Sequence, residues 1–173
     1  GNEAAVGDGI AAADVDRDDV FLASKVWIDQ LAPDDVIAST RESLDKLGVD
    51  SVDLMYVHWP AGEYDPAETL PAFAELRDKG LIDRIGVSNF EPDANDVELV
   101  AYSPLARGGI LDEPTVSEIA GRHGVSAAQV SLAWLREKGV TAIPKATGED
   151  HIRDNLASLT LELDDEDVAA IDN

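Results

Sequence analysis

The sequence lacks several features that would place it in other protein classes. It contains no cysteine, which excludes a disulfide framework and thiolate catalysis. No run of eighteen apolar residues occurs, so no transmembrane helix is predicted. The opening GNEAAVGDGI has neither the basic region nor the apolar core of a signal peptide. We therefore expect a cytoplasmic globular protein.

Basic residues are also scarce. Thirteen lysines and arginines stand against 36 aspartates and glutamates, a formal net charge of −23. Nucleic acid and anionic membranes are unlikely partners because their phosphates would be repelled. The carboxylates are spread along the chain, which is typical of the acidic surface of a halophilic protein, and we expect a haloarchaeal origin; an ordinary acidic surface is the alternative. Stability should then depend on salt, which screens self-repulsion.

Apolar runs alternate with helical patterns. Strands are predicted over residues 20–23, 52–57, 82–87, 97–101 and 140–143. Helices are predicted over about 37–47, 66–79, 114–123 and 126–138, from about 148 and from 164, with glycines after several of them. Ser126 and Gln129 form a predicted capping-box pair. This order indicates parallel βαβ units, in either a doubly wound open sheet or a closed barrel. The absence of GxGxxG after the first strand counts against a Rossmann sheet.

Each predicted strand ends near a residue suited to chemistry: Lys25, His58, Asn89, Tyr102 and Lys145. In a (β/α)₈ barrel the carboxyl ends of all strands lie on one face, where active sites form. An open parallel sheet would also collect them along one edge. Either arrangement predicts a shared pocket for these residues.

Several segments resemble signatures of the aldo-keto reductases, in family order. They are SKVW (24–27), VDLMYVHWP (52–60), IGVSNF (85–90), AYSPLARG (101–108) and IPKATGEDHIRDNL (143–156), together with the opening GNEAAVGDGI. The closest pattern is that of prokaryotic diketogluconate-type reductases. The resemblance implies a single (β/α)₈ TIM barrel domain over residues 1–173 and an NADP(H)-dependent oxidoreductase that reduces an aldehyde or ketone to an alcohol.

The resemblance also implies missing pieces. The family places two strands, its catalytic aspartate and its catalytic tyrosine before the residue that matches Gly1. Near residues 93–95 it has a further helix, its sixth strand and another helix. We expect that the chain belongs to a longer protein with a break in the sequence there; a genuine deletion is the alternative.

The resemblance assigns catalytic roles to Lys25, which would lower the pKa of the tyrosine acid, and to His58, which would orient the substrate carbonyl. Tyr56 and Tyr64 do not match that tyrosine. His123, at a predicted helix end, is expected to interact with the helix dipole.

The resemblance assigns a second set of residues to the cofactor. They are Ser88 and Asn89 at the nicotinamide carboxamide, Tyr102 stacked on its ring, Ser103 and Leu105 along the pyrophosphate, Lys145, Ala146 and Thr147 at the 2′-phosphate, and His151, Asp154 and Asn155 near the adenosine. His151 stands where the family commonly has arginine, so NAD(H) is an alternative to NADP(H). Trp27 and Trp59, with His58, match walls of the substrate pocket.

Other activities remain open at this stage. The same fold could serve as a non-catalytic NADP(H)-binding sensor, or a lysine at a strand end could form a Schiff base as in barrel aldolases. No metal site is expected, because the three histidines are widely separated. The family is mostly monomeric, and a small carbonyl compound is the expected substrate.

Overall fold

Parallel strands followed by helices make up both parts of the molecule. The computed structural model describes residues 1–90 and 99–172. The chain divides into two units, Gly1–Asp93 and Ala94–Asn173, called here the first and the second unit. Within the described residues, the helices are too short and too polar to cross a membrane.

The first unit is a three-stranded parallel sheet with helices. Its elements are α1 (Glu3–Ala12), β1 (Ala23–Val26), α2 (Pro33–Leu47), β2 (Val52–Val57), α3 (Pro66–Asp78) and β3 (Ile82–Val87). The strand order is β1-β2-β3, so β2 is central. All pairs are parallel, as βαβ connections require.

Helix α2 shows why the sequence folds locally as predicted. Pro33 occupies its first turn, and Gly48 ends it in the left-handed conformation at φ 68°. Val36, Thr40, Leu44 and Leu47 recur at helical spacing and are buried. Its three apolar members pack into a core with residues of β1, β2 and α3, among them Val26, Met55, Val57, Phe73 and Leu76.

The second unit has shorter strands and more helix. Its elements are β4 (Val100–Ala101), α4 (Pro114–His123), α5 (Ala127–Glu137), β5 (Thr141–Ala142), α6 (Glu149–Ala157) and α7 (Asp165–Asp172). Strands β4 and β5 pair in parallel. Val116, Ile119, Ala120 and Val130 form the buried cluster between α4 and α5.

Three sequence predictions need correction. The first strand lies at Ala23–Val26 and not at 20–23, because hydrogen bonding to β2 sets its register; Lys25 therefore lies within β1. The Gln129 side chain does not return to the cap of α5 but donates to Asp154. His123 does more than face a helix dipole, since its Nε2 lies 2.6 Å from the buried Asp167 carboxylate.

Three further predictions lie outside the described residues or differ from the observed bounds. The predicted break near 93–95 lies outside the described residues. Of the strand predicted over 97–101, residues 97 and 98 are also outside them, and the structure has β4 at Val100–Ala101. The last strand is shorter than the predicted 140–143, at Thr141–Ala142.

Candidate active site

Lys25 projects from an edge strand of the sheet in the first unit. It lies in β1 directly beside Tyr56 of β2, and Tyr56 lies beside Gly86 of β3. Residues paired in register point to the same face of a sheet. The Lys25 Nζ is 5.4 Å from the centre of the Tyr56 ring, and Lys25 is exposed.

His58 follows β2 and packs against Trp27, which follows β1. Their ring centres are 4.6 Å apart, with planes tilted by 55°. The His58 Nδ1 is buried and has no hydrogen-bond partner among the described residues. Burial, and to a smaller extent the charge of Lys25, lower the pKa of His58 below its ordinary value. His58 is therefore a neutral imidazole at pH 7, able to donate one hydrogen bond.

Asn89 joins the carboxyl ends of β2 and β3. Its Nδ2 donates to the His58 carbonyl oxygen at 2.9 Å and to the Ser88 Oγ at 3.1 Å. Its backbone is left-handed, at φ 62°, a conformation that asparagine tolerates better than most residues. Asn89, which follows β3, thus contacts both His58, which follows β2, and its own neighbour Ser88.

An open cavity of about 670 Å³ includes Lys25, Trp27 and His58 in its lining. The charged side chains Glu3, Glu42 and Lys46, from α1 and α2, also line it. Glu3 accepts a hydrogen bond from the Ser24 Oγ at 2.7 Å. The cavity therefore places the two predicted catalytic residues beside a predicted substrate wall.

The loop that carries Trp59 is held against the loop after β1. The Glu63 amide donates to the Ile28 carbonyl oxygen at 3.1 Å. A Cβ at Gly62 would lie 2.5 Å from that same oxygen, and φ there is +67°, so glycine is required on both grounds. Trp59 itself is 52% exposed, as is Trp27, which leaves both indoles available to a ligand.

The predicted cofactor residues of the second unit follow its two paired strands. Tyr102, Ser103 and Leu105 come after β4, and the segment Lys145, Ala146 and Thr147 comes after β5. Because the strands are parallel and in register, both segments leave the same edge. The Ser131 Oγ anchors the first segment by donating to the Pro104 carbonyl oxygen at 2.9 Å. Tyr102 is 60% exposed, so its ring is free to stack.

The remaining predicted cofactor residues lie on α6. Both carboxylate oxygens of Asp154 accept hydrogen bonds from the start of α5, from the Ser126 Oγ at 2.7 Å and the Gln129 Nε2 at 2.5 Å. Asn155 and Ala146 line a second open cavity, of about 660 Å³. His151 is exposed near the start of the helix. Ala146 and Asn155 thus line the same cavity. Asp154 instead links α6 to α5 through its two hydrogen bonds.

Two residues near Lys25 were not predicted from the sequence. Tyr56 and Gly86 complete its row across the sheet. Their signal is the pairing register, which periodicity alone does not give. No group of three His, Asp or Glu side chains within residues 1–90 and 99–172 is arranged to hold a metal ion.

Polar and aromatic side chains gathered at the carboxyl ends of parallel βαβ strands are typical of the active sites of (β/α)₈ barrel enzymes. The Aldo/keto reductase family model matches residues 1–94 and 92–173. The chain is 34% identical to the methylglyoxal reductase DkgB of Escherichia coli O157:H7 over 207 residues, covering 98% of this chain and 78% of that protein.

Solved structures give the same result. A diketogluconate reductase-like crystal structure reaches a TM-score of 0.92 at 35% identity, over 98% of this chain and 73% of its own. A silkworm (Bombyx mori) aldo-keto reductase complexed with NADPH reaches 0.85 at 30% identity, over 98% and 69%. The chain belongs to the Aldo/keto reductase family. The predicted family, the (β/α)₈ fold class and the NADPH-dependent oxidoreductase class are confirmed; the roles of individual residues stay predictions.

Proposed function

We propose that the protein reduces an aldehyde or ketone of a small metabolite to an alcohol, with NADPH as the hydride donor. The observation that carries this proposal is the face of the first unit where Lys25, Trp27 and His58 line one cavity. A positive charge and a neutral hydrogen-bond donor beside an aromatic wall suit a polarised carbonyl group.

The chain's own residues would act on the carbonyl oxygen. His58, neutral because of its burial, donates a hydrogen bond that orients this oxygen and stabilises the negative charge that develops on it. The proton comes from a tyrosine outside residues 1–173. The Lys25 ammonium lowers the pKa of that phenol from about 10 toward neutrality, where proton donation is efficient.

The second unit would hold the cofactor, which, when bound, supplies the hydride that reduces the carbonyl carbon. An exposed aromatic ring at Tyr102 and an exposed cation at Lys145 follow the carboxyl ends of paired strands, and both fit a dinucleotide. Ser103, Leu105, Ala146 and Thr147 extend the same two segments, with His151, Asp154 and Asn155 on α6. Ser88 and Asn89 would meet the carboxamide. Histidine at 151 binds phosphate less firmly than arginine, so we propose that NAD(H) also serves.

We further propose that residues 1–173 form one barrel domain of a longer protein, with residues absent near 93–95. Two observations support this. The family model matches in two segments that meet at residues 92–94. The alignment with the Escherichia coli reductase spans 207 residues, although the chain has 173. Because the family is mostly monomeric, we propose a monomeric enzyme, and we propose that it is cytoplasmic. The acidic composition leads us to propose that it comes from a halophile, in which salt screens the charge of −23.

The test is an NADPH-oxidation screen of the full-length protein in high salt. The substrates are methylglyoxal, other short aldehydes and keto sugars, and turnover is followed by loss of NADPH absorbance. We expect saturable turnover with at least one substrate class and formation of the alcohol. Tight NADPH binding without turnover of any carbonyl compound would favour the alternative function, a non-catalytic NADP(H)-binding sensor. Borohydride trapping of a substrate on the protein would favour the Schiff-base enzyme.

A further inference from the structure

Lys25, Tyr56 and Gly86 form a row across the three strands of the first unit, called here the lysine row. Lys25 pairs with Tyr56 and Tyr56 pairs with Gly86 in the parallel register. All three positions therefore face the same side of the sheet. The row ends in the one residue without a side chain.

Gly86 provides the space that the Tyr56 ring occupies. A Cβ built on Gly86 would lie 2.5 Å from Cδ1 and 2.6 Å from Cε1 of Tyr56, far inside any real carbon contact. Gly86 is not among the glycines with positive φ, so its backbone conformation does not require glycine. What requires glycine there is the position of the tyrosine ring.

The position of the ring brings its face to the Lys25 ammonium. The Nζ is 5.4 Å from the ring centre, within the range of about 6 Å for a cation–π contact. Such a contact draws the ammonium toward the ring face and so restricts where it can lie. The position of the ammonium decides how strongly its charge acts on a neighbouring phenol.

We propose that Tyr56 is a positioning residue for Lys25 and that Gly86 leaves the space in which the Tyr56 ring lies. This inference rests on the proposed function, in which the Lys25 charge tunes the proton donor. Ionisable side chains that line the same cavity as Lys25 include His58 from the end of β2, Glu3 from α1, and Glu42 and Lys46 from α2. The charge of Lys25 acts on His58 among them.

The experiment compares three substitutions in the full-length protein. Tyr56→Phe keeps the ring and should retain kcat within about twofold. Tyr56→Leu removes the ring and should lower kcat about fivefold to tenfold, with the KM for NADPH unchanged. Gly86→Ala displaces the ring and should give the same loss, and the double variant with Tyr56→Leu should lose little more.

A pH profile separates positioning from simple structural damage. With the ammonium displaced, the pKa of the donor phenol rises. The alkaline limb of kcat should therefore move to higher pH in Tyr56→Leu and Gly86→Ala, but not in Tyr56→Phe. A Tyr56→Leu protein with the wild-type rate and profile overturns the proposal.

A measurement on the unaltered protein covers the case in which these variants fail to fold. Ring current from Tyr56 should shift the Lys25 ε-methylene NMR signal upfield, with assignment by Lys25→Met. An unshifted signal overturns the proposal. Retention of turnover in Lys25→Met would instead contradict the proposed function itself, whatever the Tyr56 variants do, so the two failures are distinguishable.

Discussion

The two units hold their elements together by different means. The first unit buries a large apolar cluster that includes Phe73, Leu76 and Met55 between its sheet and helices. The second buries a smaller apolar cluster and adds polar links between helices. Asp167 joins α7 to α4, and Asp154 joins α6 to α5.

This difference corresponds to the proposed tasks of the units. His58 and Asn89 are held by the apolar sheet and by the hydrogen bond between them. Tyr102 and Lys145 instead lie on exposed segments after strands of two residues. We infer that the proposed site residues of the first unit are positioned before ligand binding. We expect Tyr102 and Lys145 to become ordered when the cofactor binds, with binding energy that offsets the ordering.

The largest expected effect is a loss of stability when the polar link between α7 and α4 of the second unit is broken. The Asp167 carboxylate is 2% exposed and contacts Arg122 and His123. Burial opposes ionisation of Asp167, but the hydrogen bonds and charges of its partners outweigh it and lower the pKa below the usual range. Asp167→Asn leaves Arg122 and His123 without their carboxylate partner and should destabilise the protein by about 3 kcal/mol. Denaturant unfolding at pH 7 measures this.

Asp172→Asn is the matched control on the same helix. Asp172 is half-exposed and pairs with Lys138 and Trp134, so its loss should change stability little. Equal effects of the two substitutions would contradict the view that the second unit depends on its buried ionic link.

The next largest effect is a loss of stability when close packing between α1 and α2 of the first unit is disturbed. A Cβ at Gly7 of α1 would lie 2.4 Å from the backbone oxygen of Leu47 at the end of α2. Gly7→Ala should therefore cost about 1–3 kcal/mol by overpacking. Gly9→Ala on the same helix meets open space and should be neutral or stabilising by up to about 1 kcal/mol. Thermal unfolding compares them, and a stable Gly7→Ala protein would show that α1 is not closely seated.

A smaller expected effect is on cofactor affinity, and it tests whether the exposed segment at Lys145 binds the cofactor. Lys145→Met removes the cation predicted to bind the 2′-phosphate and should raise the KM for NADPH about tenfold, since a charged hydrogen bond contributes about 1.5–3 kcal/mol. The KM for NADH should change little, because NADH lacks that phosphate. Steady-state kinetics with both cofactors tests this, and equal changes would remove Lys145 from the 2′-phosphate site.

The smallest effect concerns the pH dependence of the first unit. His58 has a lowered pKa in the folded protein, so unfolded chains bind the additional proton more readily. Its contribution to stability is complete above the ordinary histidine pKa of about 6.5 and is lost as the pH falls from there through the lower pKa of the folded protein. The difference in unfolding free energy between wild type and His58→Asn should therefore shrink from pH 7.5 to 5.5. A constant difference would mean that His58 is not held neutral by burial.

Much of the fold follows from local patterns in the sequence. The limits of β2 and β3 agree with their apolar runs, and α2 ends where Gly48 predicts. Helix α1 was not predicted, because two glycines and an exposed surface weaken its periodicity. The first strand was misplaced, since Val20 and Phe21 are apolar but only pairing with β2 decides which residues form β1.

Long-range contacts in the candidate site could not be predicted. Lys25 and His58 are assigned by the family resemblance, and their shared cavity agrees with it. The contact of Asp154 with Ser126 spans 28 residues and leaves no local pattern. Tyr56 does not match the family's catalytic tyrosine, and its proximity to Lys25 becomes evident only from the pairing of β1 with β2.

The most direct measurement of the central claim is single-turnover NADPH oxidation by Lys25→Met in the full-length protein, with cofactor affinity followed by NADPH fluorescence. Loss of the ammonium should slow turnover at least about a hundredfold, as expected for a component of general acid catalysis, and leave NADPH affinity within about threefold. Full turnover in this variant would contradict the account.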